Sequence, residues 1–467
     1  MDMAAGSSRR RDWDTAMHGG DRRAVEAVLR AALVDALGPG WRIQAFSWRH
    51  LRRSASRRAA TSFEAAVDLD LADAGGGRTA TVRYHGGTQW PTALPAEVGF
   101  GTLGVEPALG PAVIDLPDLG AALWAQPNDP ALPQLARLLT PSGVQAALPA
   151  PWRDTAEVAS VELLSLASRR HAVLRVTLKP QADDAGASPT APHARPGRSR
   201  VLVAKTFADD KALRVHERVQ ALWARGGRDG EAPRMARPLG VDPASFTVWY
   251  AFVPGPTLAQ ALEGTHAESA LAAAARTIAH LHEVPLPLEA CRDVAFWCDE
   301  VSRRARKLER LLPTLAPRIR ALADGLLDAV PRLPPAHLSA LHGDCQPGQF
   351  IVADGVATVL DLDSMVRGMP MEDLAECLQK LQALPHLDID RCAEAFLRAY
   401  RLAAPARFEA SWLHWHQAVQ ALLAASRAAM ALQADWPRLA ADAIAAAHRS
   451  LARLRDTRPV ATARPPA

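Results

Sequence analysis

The chain has 467 residues, 49% of them hydrophobic, and a formal net charge of +4. That length exceeds one ordinary domain and that apolar fraction suits a sizeable core, so two or three packed domains are expected. So small a surplus of charge leaves no electrostatic footprint for nucleic acid or an anionic membrane.

No apolar run approaches the roughly eighteen residues that a membrane span needs. The start, "MDMAAGSSRRRDWD", lacks the apolar stretch of a secretion signal. Five cysteines (Cys291, Cys298, Cys345, Cys377, Cys392) form no C-x-x-C pair. An odd, dispersed set fits free thiols in a reducing compartment, and a cytoplasmic location is expected. Only five lysines stand beside 49 arginines among the 54 basic residues. The Arg-rich runs at 9–12 and 49–58 read as solvated faces.

Residues 1–20 read as a polar disordered tail. A helix follows, with Asp21 as N-cap, apolar residues from Val25 to Leu37 at helical spacing, and a stop at "GPG", 38–40. "RIQAFSW", "FEAAVDLDL" and "RTATVRYHG" read as strands, the last two joined by the turn "ADAGGG". "PNDPALPQLARLL" (127–139) reads as a turn and then a helix. The frequent prolines from 91 to 151 suggest an extended connection. A second strand set begins near 157: two strands joined at "ASRR", a polar linker at 182–199, the strand "RVLVAKTF", the helix "KALRVHERVQALW" and the strand "FTVWYAFVPG". After Gly255 helices are expected around 268–283, 299–325, 372–384, 389–402 and 409–426, with a strand–turn–strand at 350–362. "ASRR" occurs at 55–58 and again at 167–170, each time followed by a strand, a polar turn and a strand. That is a weak hint of an internal repeat.

Chemistry concentrates in "LHGDCQPGQF" (341–350) and "ATVLDLDSM" (357–365). Phosphoryl transfer needs a carboxylate beside the acceptor hydroxyl, ligands for Mg²⁺ and a cation on the nucleotide phosphates. His342-Gly343-Asp344, the amide of Gln349 five residues on, and Asp361 at the end of an apolar strand have that order. A hairpin turning at "ADG" (353–355) would bring Asp344, Gln349 and Asp361 to one end. Upstream, Lys205 sits in the small apolar run "VLVAK", where a lysine is costly unless paired or bound to an anion. Glu217, twelve residues on in the next helix, is the candidate partner. "VWYAFVPGPTL" (248–258) reads as a hinge whose backbone from Ala251 to Val253 could hold an adenine.

Two patterns read as decoys. "GFGTLG" (99–104) has the spacing of a dinucleotide loop without a clear strand–helix context. "HWH" (414–416) puts His414 and His416 on different helix faces, which suits a satisfied pair beside an aromatic core better than a metal site.

These motifs together resemble the aminoglycoside phosphotransferase and choline kinase-like family, whose pattern is roughly His-Gly-Asp-x-His-Pro-Gly-Asn followed by Ile-Asp-x-Asp/Glu. Here it reads "HGDCQPGQ" and "LDLD"; "FVPGPTL", "ARTIAHLHEVPLP" and "GMPMEDLAECL" are similar as well. The resemblance spans about 157–402. It implies Asp344 as catalytic base, Gln349 and Asp361 as Mg²⁺ ligands, and Lys205 with Glu217 as the phosphate-anchoring pair. Asp373 and His342 would be supports, and ATP the phosphate donor. The implied fold is α+β: a bilobal, protein-kinase-like arrangement with a β-rich lobe (151–253) and a helical lobe (254–455), after an accessory, cap-like α/β domain (21–150) and before a tail (456–467). The expected partner is a small hydroxyl acceptor: a sugar, amino sugar or aminoglycoside.

The chain departs from the family pattern in three places. Gln346 replaces a histidine, the turn at 167–170 that would cover the nucleotide has no glycine, and Gln349 replaces the asparagine. Maltokinase-type members carry Gln there and an N-terminal cap. The rival expectation is a non-catalytic, nucleotide-binding module.

Overall fold

A computed structural model describes residues 2–54, 62–93, 104–179, 201–225, 233–385 and 387–456. The expected linker at 182–199, the first "ASRR", all of "GFGTLG" but Gly104, and the C-terminal tail beyond Asp456 lie outside the described residues. The chain divides into two compact units. The first comprises Met1–His216, Pro238–Phe252 and Met430–Asp435; the second comprises Glu217–Arg237, Val253–Ala429 and Trp436–Ala467.

The first unit opens on a correction. The expected tail forms helix α1 (Asp2–Gly19), in which Trp13 and Met17 are fully buried. Trp13, Ala16 and Met17 stand at i, i+3 and i+4, an apolar stripe that the surrounding arginines obscure. The Trp13 ring lies 4.6 Å from that of Phe63, and Arg9 donates to Asp118 at 2.6 Å. Helix α2 (Arg22–Leu37) starts where expected: the Asp21 carboxylate accepts from the N–H groups of Arg23 and Ala24 at 2.9 and 3.1 Å.

Strands β1 (Trp41–Ser54), β2 (Ser62–Asp73) and β3 (Thr79–Thr88) form an antiparallel meander. The proline-rich stretch after them is not simply an extended connection. It supplies β4 (Val113–Leu116) and β5 (Ala121–Ala125), which complete a sheet of order β1-β2-β3-β5-β4. All five residues of β5 are buried; a strand with both faces covered lacks the period-2 signature that marks a half-buried one.

Three short helices follow: α3 (Leu135–Leu138), α4 (Pro141–Ala147) and α5 (Ala150–Arg153). Leu132, Leu135, Leu138, Val144 and Leu148 from this stretch share one core with Leu174, Val176, Leu202 and Trp249 of the second sheet. That sheet comprises β6 (Val158–Ala167), β7 (His171–Leu178), β8 (Val201–Phe207), β9 (Pro238–Asp242) and β10 (Thr247–Ala251), in the order β6-β7-β8-β10-β9.

The two sheets therefore share strand order, and every pairing in both is antiparallel. In sequence, both copies of "ASRR" fall between the first and second strands of a sheet. The architecture thus repeats even though the sequence barely does.

Helix α6 (Lys211–Ala224) crosses from the first unit's residues into the second's. The second unit continues with α7 (Leu258–Ala261), capped by a reciprocal Thr257–Gln260 box, and α8 (Ala267–Glu283). The helix expected at 299–325 is two, α9 (Val294–Leu311) and α10 (Ala316–Ala329), because Pro313 opens a 3₁₀ turn between them. Helices α11 (Pro370–Leu381), α12 (Ile389–Ala403) and α13 (Ala410–Ala431) match expectation, while α14 (Trp436–Asp456) was not anticipated. Small strands complete this unit: β11 (Cys291–Arg292), β12 (Ser339–Leu341), the hairpin β13 (Phe350–Ala353) and β14 (Val356–Val359), and β15 (Val366–Gly368). Among the described residues no helix is long and apolar enough to cross a membrane.

Candidate active site

Strand β12 delivers the chain to His342, Gly343 and Asp344. The backbone there is held by one buried carboxylate. Asp373, on α11, accepts from His342 N–H at 2.7 Å with Oδ2 and from Gly343 N–H at 3.0 Å with Oδ1. Its Oδ2 also lies 3.1 Å from His282 Nε2 on α8, and His282 Nδ1 lies 2.7 Å from the Tyr400 hydroxyl. Burial would push the Asp373 pKa up, but the bond and charge of His282, with His342 and the Gly343 N–H, hold it below the usual value. A buried charge with this many donors is the arrangement that makes burial tolerable. Gly343 has φ 78°, and a Cβ there would sit 2.3 Å from the Ser364 carbonyl oxygen, so only glycine makes the turn.

His342 then ties this loop to the hairpin. Its Nε2 faces the Leu360 carbonyl at 2.9 Å and so carries the proton, leaving Nδ1 to accept from Asp344 N–H at 3.3 Å. Leu360 N–H donates to the Gln349 carbonyl at 2.8 Å, and Thr277 of α8 donates to the Ala357 carbonyl at 2.9 Å. The hairpin thus sets Gln349 beside Asp361: Nε2 of the amide donates to Asp361 Oδ2 at 3.4 Å. Asp361 adopts the left-handed conformation, φ 54°, a position that aspartate tolerates better than most residues. Gln346 Nε2 donates to Asp344 Oδ2 at 3.2 Å. Asp344, Gln349 and Asp361 are all half-buried.

A second support could not be read from spacing alone. Arg292 of β11 donates to the Gly343 carbonyl at 3.3 Å and to Glu372 Oε1 at 2.5 Å; Trp297 of α9 donates to Glu372 Oε2 at 3.0 Å. Burial raises Glu372 to about 7 despite Arg292. Glu376, one turn further along α11, is raised to about 8, first by burial and then by the charges of Asp373 and Asp344. The only sequence signal for Glu372 was its place next to Asp373 in "GMPMEDLAECL".

In the first unit, Lys205 lies buried on β8, 5% exposed, with its ammonium 5.4 Å from the centre of the Phe207 ring. Ala251 ends β10, paired with Leu202. Val253, past the hinge, is half-buried, whereas Glu217, on α6, is exposed, which does not suit it as the partner of a buried lysine; both are residues of the second unit.

In the first sheet the place of Lys205 is empty of charge. The five-pair ladders β8–β10 and β3–β5 align Lys205↔Val248 with Gly87↔Ala122. A Cβ on Gly87 would stand 2.0 Å from the Phe63 carbonyl oxygen, so no lysine could take that position.

Of the decoys, "HWH" is corrected in part. His416 is buried among Trp297, Trp412 and Trp415 as an aromatic-core residue, but neither ring nitrogen has a partner. Its pKa falls to about 3 through burial, so it stays neutral. Among the described residues no group of three or more His, Cys, Asp or Glu could hold a metal by itself.

Residues 181–413, about half of the chain, match the model of the phosphotransferase enzyme family (APH), and the matched region contains Asp344, Gln349, Asp361, Asp373 and Lys205. The chain belongs to the aminoglycoside phosphotransferase and choline kinase-like family. It is accordingly a phosphotransferase of the kinase type, acting on hydroxyl groups. A search of curated protein sequences returns no match. Solved structures similar to it include aminoglycoside phosphotransferase APH(3'')-Id from Streptomyces rimosus, with 16% identity, 56% of this chain and 92% of that one covered, and a TM-score of 0.37. A choline/ethanolamine kinase family protein from Mesorhizobium loti shares 15% identity over 69% of this chain and 98% of its own, TM-score 0.43. Choline kinase LicA from Streptococcus pneumoniae shares 14% over 64% and 94%, TM-score 0.43. The assignment rests on the family match and the motifs, not on these distant likenesses.

Proposed function

We propose that this phosphotransferase moves the γ-phosphate of ATP to a hydroxyl of a small molecule, with a sugar, amino sugar or aminoglycoside as acceptor, in the cytoplasm. The observation that carries the reading is the convergence of Asp344, Gln349 and Asp361, each set by a bonded scaffold, inside the family-matched region. In this proposal Asp344 accepts or orients the acceptor's hydroxyl proton. Lys205 meets the α and β phosphates, and the backbone from Ala251 to Val253 receives the adenine.

Magnesium suits the residues present. Mg²⁺ takes hard oxygen ligands and is commonly held by one or two carboxylates together with substrate phosphates. Asp361 supplies the carboxylate and Gln349 a carboxamide beside it. The Gln349 amide turns its nitrogen toward Asp361, so ligation through oxygen requires that amide to rotate. When bound, the ion would neutralise phosphate charge.

The glycine-free turn at 167–170 and the substituted amide favour a second reading, a nucleotide-binding module without turnover. One experiment separates them. Asp344→Ala should abolish phosphate transfer, measured with radiolabelled ATP against a panel of hydroxyl compounds, while Mg·ADP affinity is retained. Wild-type protein that binds nucleotide but phosphorylates nothing would favour the second reading. Activity unaffected by Asp344→Ala would refute the base assignment.

A further inference from the structure

The turn between β6 and β7, Ala167–Arg170, is the segment that would lie over the nucleotide in this fold. It has no glycine, yet it is fastened at almost every polar group. Arg170 N–H returns to the Ala167 carbonyl at 3.0 Å, and Ala208 N–H donates to the Arg170 carbonyl at 3.0 Å. Arg169 has φ 59°. Its N–H, which that left-handed conformation turns away from the strand ladder, donates to Asp129 Oδ2 at 2.8 Å. Its guanidinium lies 5.7 Å from the centre of the Trp90 ring.

The receiving groups come from the first sheet and the segment after it. Asp129 is 2% exposed, and its Oδ1 accepts from Ala131 N–H at 2.9 Å. His85, fully buried on β3, has Nε2 2.6 Å from the Asn128 carbonyl, so that nitrogen carries the proton. Its Nδ1 is then the acceptor for the Ser168 hydroxyl at 2.5 Å. Burial lowers the His85 pKa against the pull of Asp129, which keeps this neutral tautomer in place. A few residues on, Gln134 Nε2 reaches Thr206 Oγ1 at 2.9 Å and the Phe207 carbonyl at 2.8 Å, bracing the end of β8.

The geometry points to Asp129, with His85, as a positioning residue: it holds the Ser168–Arg169 turn in the one conformation that receives nucleotide phosphates. This rests on the proposed function, because it takes the turn to be a nucleotide contact. Where related folds use a glycine-rich loop that closes on its ligand, this chain presents a turn fixed in advance by its own N-terminal region. Preorganisation lowers the ordering cost of binding, so it is read in nucleotide affinity rather than in the chemical step.

Asp129→Asn isolates the contact. The asparagine oxygen can keep the bond to Ala131 N–H, but its –NH₂ then faces Arg169 N–H, donor against donor. Ser168→Ala is the milder companion, removing only the hydroxyl given to His85. Three readouts are taken on the full chain: amide exchange of the peptide spanning 167–170, the dissociation constant of Mg·ADP by calorimetry, and KM for ATP against kcat. Asp129→Asn should speed exchange in the turn and weaken Mg·ADP by roughly tenfold, the equivalent of one charge-assisted hydrogen bond. KM for ATP should rise with it while kcat at saturating ATP stays within about threefold, and Ser168→Ala should move the same way by less. Faster exchange with unchanged Mg·ADP affinity, or no change in either, overturns the inference while leaving the proposed function intact. Wild-type protein that fails to bind Mg·ADP overturns both. If Asp129→Asn does not fold, Ser168→Ala decides alone by the same two criteria.

Discussion

Gly343→Ala should disable this enzyme without unfolding it. The added Cβ would stand 2.3 Å from the Ser364 carbonyl oxygen, and 3.3 Å from the Val366 Cγ1. Even a close C–H···O approach keeps carbon and oxygen about 3.3 Å apart, so the peptide must move by about 1 Å. Holding an alanine at φ 78° adds roughly 1–2 kcal/mol. The strain could be relieved by releasing the loop, but the two bonds to Asp373 resist, each worth about 1.5–3 kcal/mol as a hydrogen bond to a charged group. The loop should therefore stay attached and shift, carrying Asp344 with it. With Asp344 as the proposed base, a displacement of about 1 Å should cost on the order of 100-fold in rate. The assay is kcat for acceptor phosphorylation, or for ADP release from ATP where no acceptor is in hand, with the unfolding midpoint as control. Gly348→Ala serves as the comparison, since nothing lies within 4 Å of a Cβ there and its φ is ordinary. Wild-type turnover in Gly343→Ala, or equal damage from Gly348→Ala, would refute the reasoning.

Two further predictions concern the same unit. Gln349→Asn should keep activity within about threefold, because a carboxamide oxygen remains, whereas Gln349→Ala should lose roughly 10–100-fold and need more Mg²⁺; an unchanged Mg²⁺ dependence in Gln349→Ala would show that the amide is not a ligand. Glu376, raised by burial to about 8, binds its proton more tightly in the folded state than in the unfolded one. Its contribution to stability is therefore complete below the ordinary carboxylate pKa and declines as pH rises through about 8. Glu372 follows the same sign and titrates about one pH unit lower, through about 7. Between pH 7 and 8, denaturant unfolding should reveal a loss of about 1 kcal/mol from Glu376, removed in Glu376→Gln; an identical pH profile in the variant would mean that Glu376 is not held protonated.

The site's own stretch was the most legible part of the sequence. Gln349 and Asp361 meet because the two-residue turn Asp354–Gly355 closes the β13–β14 hairpin, whose ends come together whatever surrounds it, while His342 ties the loop of Asp344 to that hairpin. Local signals of that kind also gave Asp21 as a cap and the strands from 41 to 88. What failed to show was whatever depends on a distant partner. Helix α1 looked like a tail because Trp13, Ala16 and Met17 stand among polar and charged residues, and the Phe63 ring on which Trp13 packs lies far along the sequence. Strand β5 was hidden because both its faces are covered. The division of 299–325 into two helices turned on Pro313, which was visible, but the amphipathic pattern on either side reads continuously. Glu372 and Arg292 lie 80 positions apart, and neither their pairing nor the bond from Arg292 to the Gly343 carbonyl follows a spacing rule.

The repeated sheet lacks the lysine by which its counterpart is proposed to meet nucleotide phosphates. Its architecture copies that of the sheet bearing Lys205, strand for strand. Where β8 carries the lysine, however, β3 carries Gly87, pressed so close to the Phe63 carbonyl that no side chain fits. Two residues earlier β3 carries His85, fully buried and bonded to Ser168 in the other sheet's turn. One copy thus keeps a cation in a buried strand, at a cost that only an anion or a paired carboxylate offsets. The other has no cation there and, two residues away, contacts its sibling through His85. On the proposed function, a sheet whose equivalent strand is sterically closed to a side chain, and whose buried histidine bonds to Ser168, serves to shape the turn at 167–170.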